Sequence, residues 1–259
     1  MTEATRHTPG TPCWVSLMVH GLDATQAFYG ELFGWEFSPG PQQLGPYVRA
    51  LLDGKEVAGI GRLPADRDLP IAWTPYLATD DADATAESVR CSGGTVGVGP
   101  LDAADAGRMA IVTDPAGAVF GLWQPSAHSG IAVRGTPGTP VWHELLTTGT
   151  ATVGKFYETV FGFTPEPADP DAGPDPDHVI LRLEDRPVAA LRGFGRSLPR
   201  DRGTYWMTFF EVEDPDGVAV RLTELGGRVL KPPQESPQGR IAVVTDPEGA
   251  IFTVVRSPG

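Results

Sequence analysis

Apolar residues in this chain recur at two spacings. Some stretches alternate apolar and polar, the period of a strand with one buried face, and others repeat every third or fourth residue, the period of a helix. Residues 14–19 alternate, with Val15, Leu17 and Val19 on one side, and read as a strand. A helix follows, with Ala27, Phe28 and Leu32 at helical spacing. Asp23 and Gln26 have the spacing of a capping box at its start, and Gly34 ends it. Short strands are predicted at 35–37, 47–52 and 57–63, the last two joined by the hairpin signal Asp53-Gly54. After a linker at 64–70 the plan recurs: strand 73–78, helix 82–91 ending at Gly93-Gly94, then strands 94–98, 108–113 and 119–123, with the turn Asp114-Pro115-Ala116-Gly117 before the last.

The whole arrangement then repeats. PCWVSLMVHGLDATQAFYGELFGWEF at residues 12–37 is answered by PVWHELLTTGTATVGKFYETVFGF at 140–163. Trp142 falls under Trp14, Phe156-Tyr157 under Phe28-Tyr29 and Phe161-Gly162 under Phe33-Gly34, at a constant spacing of 128 residues. Further on, Trp206 answers Trp73, Gly226-Gly227 answers Gly93-Gly94, and Asp246-Pro247-Glu248-Gly249 answers Asp114-Pro115-Ala116-Gly117. A repeat this long marks duplicated domains. The boundaries are set at 12–126 and 140–257, with 127–139 as linker, residues 1–11 as a disordered lead-in and 165–177 as a mobile loop.

Composition narrows the partners more than the fold. The chain has 259 residues and is 41% hydrophobic, enough to give each of two domains a core without staples. The formal net charge is −13 and there is no basic run, so nucleic acid and anionic membrane are excluded as partners. No stretch has the length of a membrane span or the character of a signal peptide. Cys13 and Cys91 are not equivalent in the repeat, which argues against a disulfide framework and for a reducing cytoplasm.

The order strand, helix ending in FYxxLFGW or FYxxVFGF, three strands and a DPxG turn resembles the vicinal oxygen chelate superfamily. That group spans glyoxalases, bleomycin resistance proteins and extradiol dioxygenases, and the tandem, tryptophan-rich form looks like an actinobacterial type. The resemblance implies an α+β fold of tandem glyoxalase-like domains. Each is built of two βαβββ units that form a curled mixed sheet with helices outside. It implies metal ligands on the first and last strands of a unit. Those positions here hold Trp14 and Trp142, Gly121 and Thr253, and, in the second units, Trp73 or Thr74 and Trp206 or Met207. None is a His, Asp or Glu, so no metal and no other cofactor is expected, and metal-dependent glyoxalase I chemistry is excluded. His143 lies one residue from a ligand position. A one-residue slip would turn the whole strand over, which makes it a strand residue packed near the helix.

Strand alternation selects the side chains expected to line the clefts. In the first half these are Trp14, Ser16, Met18, Tyr47, Arg49, Trp73 and Trp123; in the second, Trp142 and Trp206. This set suits an apolar or aromatic small molecule, with a few polar groups to orient it. Glu144, His178 and Arg182 form a second candidate group, as a base, its partner and an oxyanion stabiliser. Glu144 and Arg182 also have the makings of a plain cross-strand ion pair. The function expected is metal-independent binding of an aromatic or hydrophobic natural product. The alternative is a tailoring or detoxifying enzyme using side-chain acid–base groups. A duplicated chain supplies internally what single-domain relatives obtain by pairing, so a monomer or a homodimer is expected.

Overall fold

The computed structural model describes residues 7–42, 45–64, 69–169, 171, 177–194 and 203–258. The segments 1–6 and 65–68, and residues 170 and 172–176 of the expected loop at 165–177, lie outside the described residues. The first repeat runs β1 (Pro12–Val19), α1 (Leu22–Phe33), β2 (Glu36–Pro39), β3 (Tyr47–Leu52), β4 (Lys55–Arg62), β5 (Trp73–Ala78), α2 (Ala82–Cys91), β6 (Thr95–Ala103), β7 (Gly107–Thr113) and β8 (Val119–Pro125). The second runs β9 (Pro140–Thr147), α3 (Thr150–Phe161), β10 (Thr164–Pro167), β11 (His178–Leu183), β12 (Arg186–Gly193), β13 (Tyr205–Glu211), α4 (Pro215–Glu224), β14 (Arg228–Ser236), β15 (Gly239–Thr245) and β16 (Ile251–Arg256). Pro165 therefore opens into a strand, not a loop.

Each repeat forms one open eight-stranded mixed sheet, ordered β2-β3-β4-β1-β5-β8-β7-β6 and β10-β11-β12-β9-β13-β16-β15-β14. Strand β1 runs parallel to β4, and β9 to β12, while the hairpins β3–β4 and β11–β12 are antiparallel. The Asp53-Gly54 turn has φ values of 50° and 72°, the left-handed pair that a tight hairpin needs. Helices α1 and α3 both end on a glycine in the left-handed region, Gly34 and Gly162.

The start of α1 differs from the sequence expectation. Its N-cap is Gly21 and no side chain caps it from within. Gln26 Nε2 donates to Leu22 O one turn back, and the Glu248 carboxylate accepts from the backbone N–H groups of His20 and Gly21. A carboxylate at a helix N-terminus satisfies orphan donors and opposes the helix dipole, so the distant Glu248 does the work that Asp23 and Gln26 were expected to do.

By contact density the chain forms two compact units. One contains residues 74–129 and 143–207, the other 14–73, 130–142 and 208–259. Each unit thus draws one half from each repeat and has its own core. In the 14–73/208–259 unit, Val15, Leu17, Phe28, Tyr29, Phe33, Trp35 and Trp73 pack with Phe210, Leu222, Val244 and Phe252. In the other, Leu77, Val89, Val112, Phe120 and Leu122 pack with Leu145, Phe156, Tyr157, Phe163, Leu181 and Trp206.

Candidate functional site

Two faces of strands carry the candidate chemistry, and they are built on the same ladder registers. On one, Ser16 of β1 pairs with Gly59 of β4, Met18 with Gly61, and Tyr47 of β3 with Gly61. On the other, Glu144 of β9 pairs with Ala190 of β12, Leu146 with Arg192, and His178 of β11 with Arg192. The positions Ser16, Tyr47 and Gly61 therefore correspond to Glu144, His178 and Arg192.

The β1–β3–β4 face satisfies itself. Tyr47 lies across β4: a Cβ on Gly59 or Gly61 would collide with its ring or hydroxyl, and at Gly61 also with the Met18 thioether. The Tyr47 hydroxyl takes the Trp14 indole N–H at 3.0 Å and shares a hydrogen bond with Ser16 Oγ at 2.9 Å. Burial raises the pKa of this phenol, which keeps it protonated. Arg49 donates to Glu56 at 2.9 Å along the same hairpin. Trp14, Ser16, Met18, Tyr47 and Arg49 do come together, with the polar groups of Trp14, Ser16 and Tyr47 paired to one another and Arg49 paired to Glu56.

The β9–β11–β12 face is charged instead. Glu144 Oε1 accepts from Arg192 Nη2 at 2.8 Å and lies 3.4 Å from His178 Nε2, and Arg192 Nη2 is itself 3.4 Å from that nitrogen. The Glu144 side chain is 8% exposed, against 33% for Arg192 and 23% for His178. Burial pushes the Glu144 carboxyl upward, but the hydrogen bonds and charges of His178 and Arg192 outweigh it and hold the group below the usual carboxylate range. Arg182 is not part of this group. The β11–β12 register shifts between Leu181 and Arg182, and Arg182 turns to Glu166 (2.6 Å) and to the Asp185 carbonyl (2.7 Å). Arg182 shares the face of His178 on β11 but lies four residues further along it, opposite Thr164 and Pro187, so parity gives the face and not the neighbour. Arg192 was legible only from the register of β12 against β9 and β11.

The tryptophans divide in the same way. Trp73 and Trp206 are core residues, not cleft residues. Trp73 donates its indole N–H to the Tyr29 hydroxyl at 3.0 Å, and Trp206 donates to Tyr157 at 3.2 Å. The tyrosines continue to Asp246 Oδ2 (3.1 Å) and Asp114 Oδ2 (3.4 Å), the aspartates of the two DPxG turns. Trp123 is buried, donates to the His128 carbonyl at 2.8 Å and meets the His128 ring edge-on. On β9, Trp142 has a buried indole N–H with no partner among the described residues. It precedes Glu144 by two residues, so strand alternation points both to the same side. His143 points the other way and is 2% exposed.

The residues at the metal positions do not fit a metal. Among the described residues no three His, Cys, Asp or Glu side chains are grouped to hold an ion. Gly121, where the resemblance puts a ligating carboxylate, lies directly under Tyr76, and even a Cβ there would collide with the ring. Thr253 is 1% exposed, and Trp14 is committed to Tyr47. No helix among the described residues is long and apolar enough to cross a membrane.

Comparison with known proteins agrees with this architecture. A glyoxalase-like domain model matches residues 143–255, and a bleomycin resistance protein-like N-terminal model matches residues 12–48. The chain is 37% identical over 263 residues to CFP32 of Mycobacterium tuberculosis, which carries a glyoxylase name, covering 99% of this chain and 98% of that one. It is 36% identical over 268 residues to the anthracycline biosynthesis protein DnrV of Streptomyces peucetius, covering 97% of this chain and 94% of that one. Among solved structures, the 2,3-dioxygenase LapB of Pseudomonas sp. KL28 superposes with a TM-score of 0.68 at 15% identity, covering 98% and 94% of the two chains. The Mn(II)-bound glyoxalase of Novosphingobium aromaticivorans does so with 0.66 at 19% identity, covering 95% and 82%. At such identities the structural likeness concerns the fold.

Proposed function

Because the chain belongs to the glyoxalase and bleomycin-resistance-like family, whose shared fold does not fix chemistry, we propose that it binds a small molecule without a metal. The ligand is an aromatic or hydrophobic natural product, held for sequestration, resistance or carriage. The observation that carries this reading is the donor set. Trp14, Trp142, Gly121 and Thr253 stand where the family's fold would place metal ligands, and Gly121 is covered by Tyr76. Divalent ions need several converging oxygen or nitrogen donors, and these residues offer only the single buried hydroxyl of Thr253. The name of DnrV, an anthracycline biosynthesis protein, supports an aromatic natural product as the ligand class. Cys13 and Cys91 are not joined in a disulfide, which suits work in a reducing cytoplasm.

That same name favours a second reading, a tailoring enzyme of secondary metabolism, with Glu144 and His178 as its acid–base pair. The electrostatics weigh against it. A general base works best with a pKa near the working pH, and Glu144 is held in the opposite direction by Arg192 and His178. A carboxylate so placed is a better anchor than a proton acceptor.

The test is a titration of the purified protein with an anthracycline, followed by tryptophan fluorescence, after elemental analysis of the same sample. The expected result is saturable binding in the micromolar range, about −8 kcal/mol, no stoichiometric transition metal, and ligand recovered unchanged by mass spectrometry. Stoichiometric Ni, Zn, Fe or Mn overturns the metal-free reading. Ligand returned chemically altered, with the change lost in Glu144→Ala, replaces the binder by the enzyme.

A further inference from the structure

The two equivalent faces differ in a way the scaffold does not require. Ser16, Tyr47 and Gly61 show that a neutral set serves these positions, with every hydroxyl paired internally. The second face instead carries Glu144, His178 and Arg192 at the same register positions. Putting a carboxylate at 8% exposure has a desolvation cost that a structural filler would avoid. From this asymmetry we propose that the β9–β11–β12 face is the acid-recognising site of the chain. It takes a planar aromatic ring bearing an acidic oxygen, a carboxylate or acidic phenol, through Arg192 and His178. The inference rests on the small-molecule-binding reading above and narrows its ligand.

The geometry of Arg192 points to an oxygen anion. A single terminal nitrogen, Nη2, donates to Glu144 and lies 3.4 Å from His178 Nε2. Its Nε and Nη1 have no partner among the described residues, and the side chain is one-third exposed. A guanidinium presents its donors in a flat fork that matches a carboxylate, and charge-assisted bonds of this kind are about twice as strong as neutral ones. Glu144 is the positioning residue: from the buried side it fixes the rotamer of Arg192 and leaves the outer donors facing the ligand. His178, about one-quarter exposed, adds a second nitrogen at the same place. The formal charge of the chain is −13, so long-range attraction disfavours anions. Any preference for an acid over its neutral analogue must therefore come from local donors.

The experiment compares 2-naphthoate with its methyl ester by calorimetric titration of the full chain. The acid is expected to bind roughly ten- to hundredfold tighter than the ester, the range of a charge-assisted contact. Arg192→Gln should remove this preference and leave ester affinity in place. The double variant Glu144→Gln/Arg192→Gln removes both charges together, so it leaves no buried ion unpaired, and it should behave the same way. Arg186→Gln, on the same strand but exposed and paired with Glu184, should keep the preference. Equal binding of acid and ester to the natural chain overturns this inference alone, and so does a preference that survives in either Arg192 variant. Binding of neither probe below about 1 mM overturns it together with the aromatic-binding reading.

Discussion

Tyr29 and Tyr157 each hold two buried polar groups at once. The hydroxyl of Tyr29 receives the Trp73 indole N–H and reaches Asp246; that of Tyr157 receives Trp206 and reaches Asp114. Burial raises the pKa of both tyrosines well above the usual phenol value and pushes both aspartates upward as well. A chain of this kind is costly to break on one side, because an orphaned buried donor loses its hydration without return. Tyr29→Phe should therefore destabilise the protein by about 1–3 kcal/mol in urea unfolding. Adding Trp73→Phe removes the stranded N–H and should recover part of that loss; strict additivity of the two substitutions would refute the coupling. The repeat shows Tyr29, Trp73 and the DPxG aspartates as recurring residues. Alternation places Trp73 on one face of its strand but does not say which face meets the helix, so the sequence assigns to a cleft what belongs to the core. Trp14 carries the same ambiguity, and Tyr47 already occupies its N–H.

At the scale of elements, what was legible is what is local. The Asp53-Gly54 hairpin, the extent of α2 and the glycine ends of α1 and α3 rest on neighbours a few residues apart, and each is where the pattern puts it. The cap of α1 was not legible, because Glu248 is 227 residues from Gly21 in sequence. Arg182 was misassigned for a related reason: alternation gives the face of β11, but which residue stands opposite His178 depends on the pairing with β12, where Arg192 is its partner. The local features also make a clean measurement. Gly34 has φ of +72° with nothing within 4 Å of a Cβ built on it. Gly34→Ala then tests conformational cost alone, and a loss of about 1 kcal/mol is expected in thermal or urea unfolding. A loss well above this would mean that a packing contact is broken as well, and no loss would contradict the left-handed cap.

At the scale of the whole molecule, the repeats seen in the sequence and the cores seen in the structure are different divisions of the chain. Residues 14–73 complete their core with 208–259, and residues 74–129 with 143–207. Phe33 stacks on Phe210, and Tyr29 bonds Asp246; Phe120 packs on Tyr157, and Tyr157 bonds Asp114. A cut in the linker between the repeats therefore removes half of each core, although the linker lies between two similar stretches of sequence. Burying a large apolar side chain is worth roughly 1.5–3 kcal/mol. Exposing Phe33, Trp35, Trp73 and Phe120 on the 1–130 fragment would cost about 6–12 kcal/mol, the same size as the roughly 5–15 kcal/mol that stabilises a typical domain. Residues 1–130 produced alone are thus expected to aggregate or to unfold without a cooperative transition, as read by circular dichroism and gel filtration. Coexpressed with residues 131–259, they should recover as a one-to-one complex with a single thermal transition. A soluble, cooperatively melting 1–130 fragment would show that each repeat folds by itself and that the interleaved cores add little to stability.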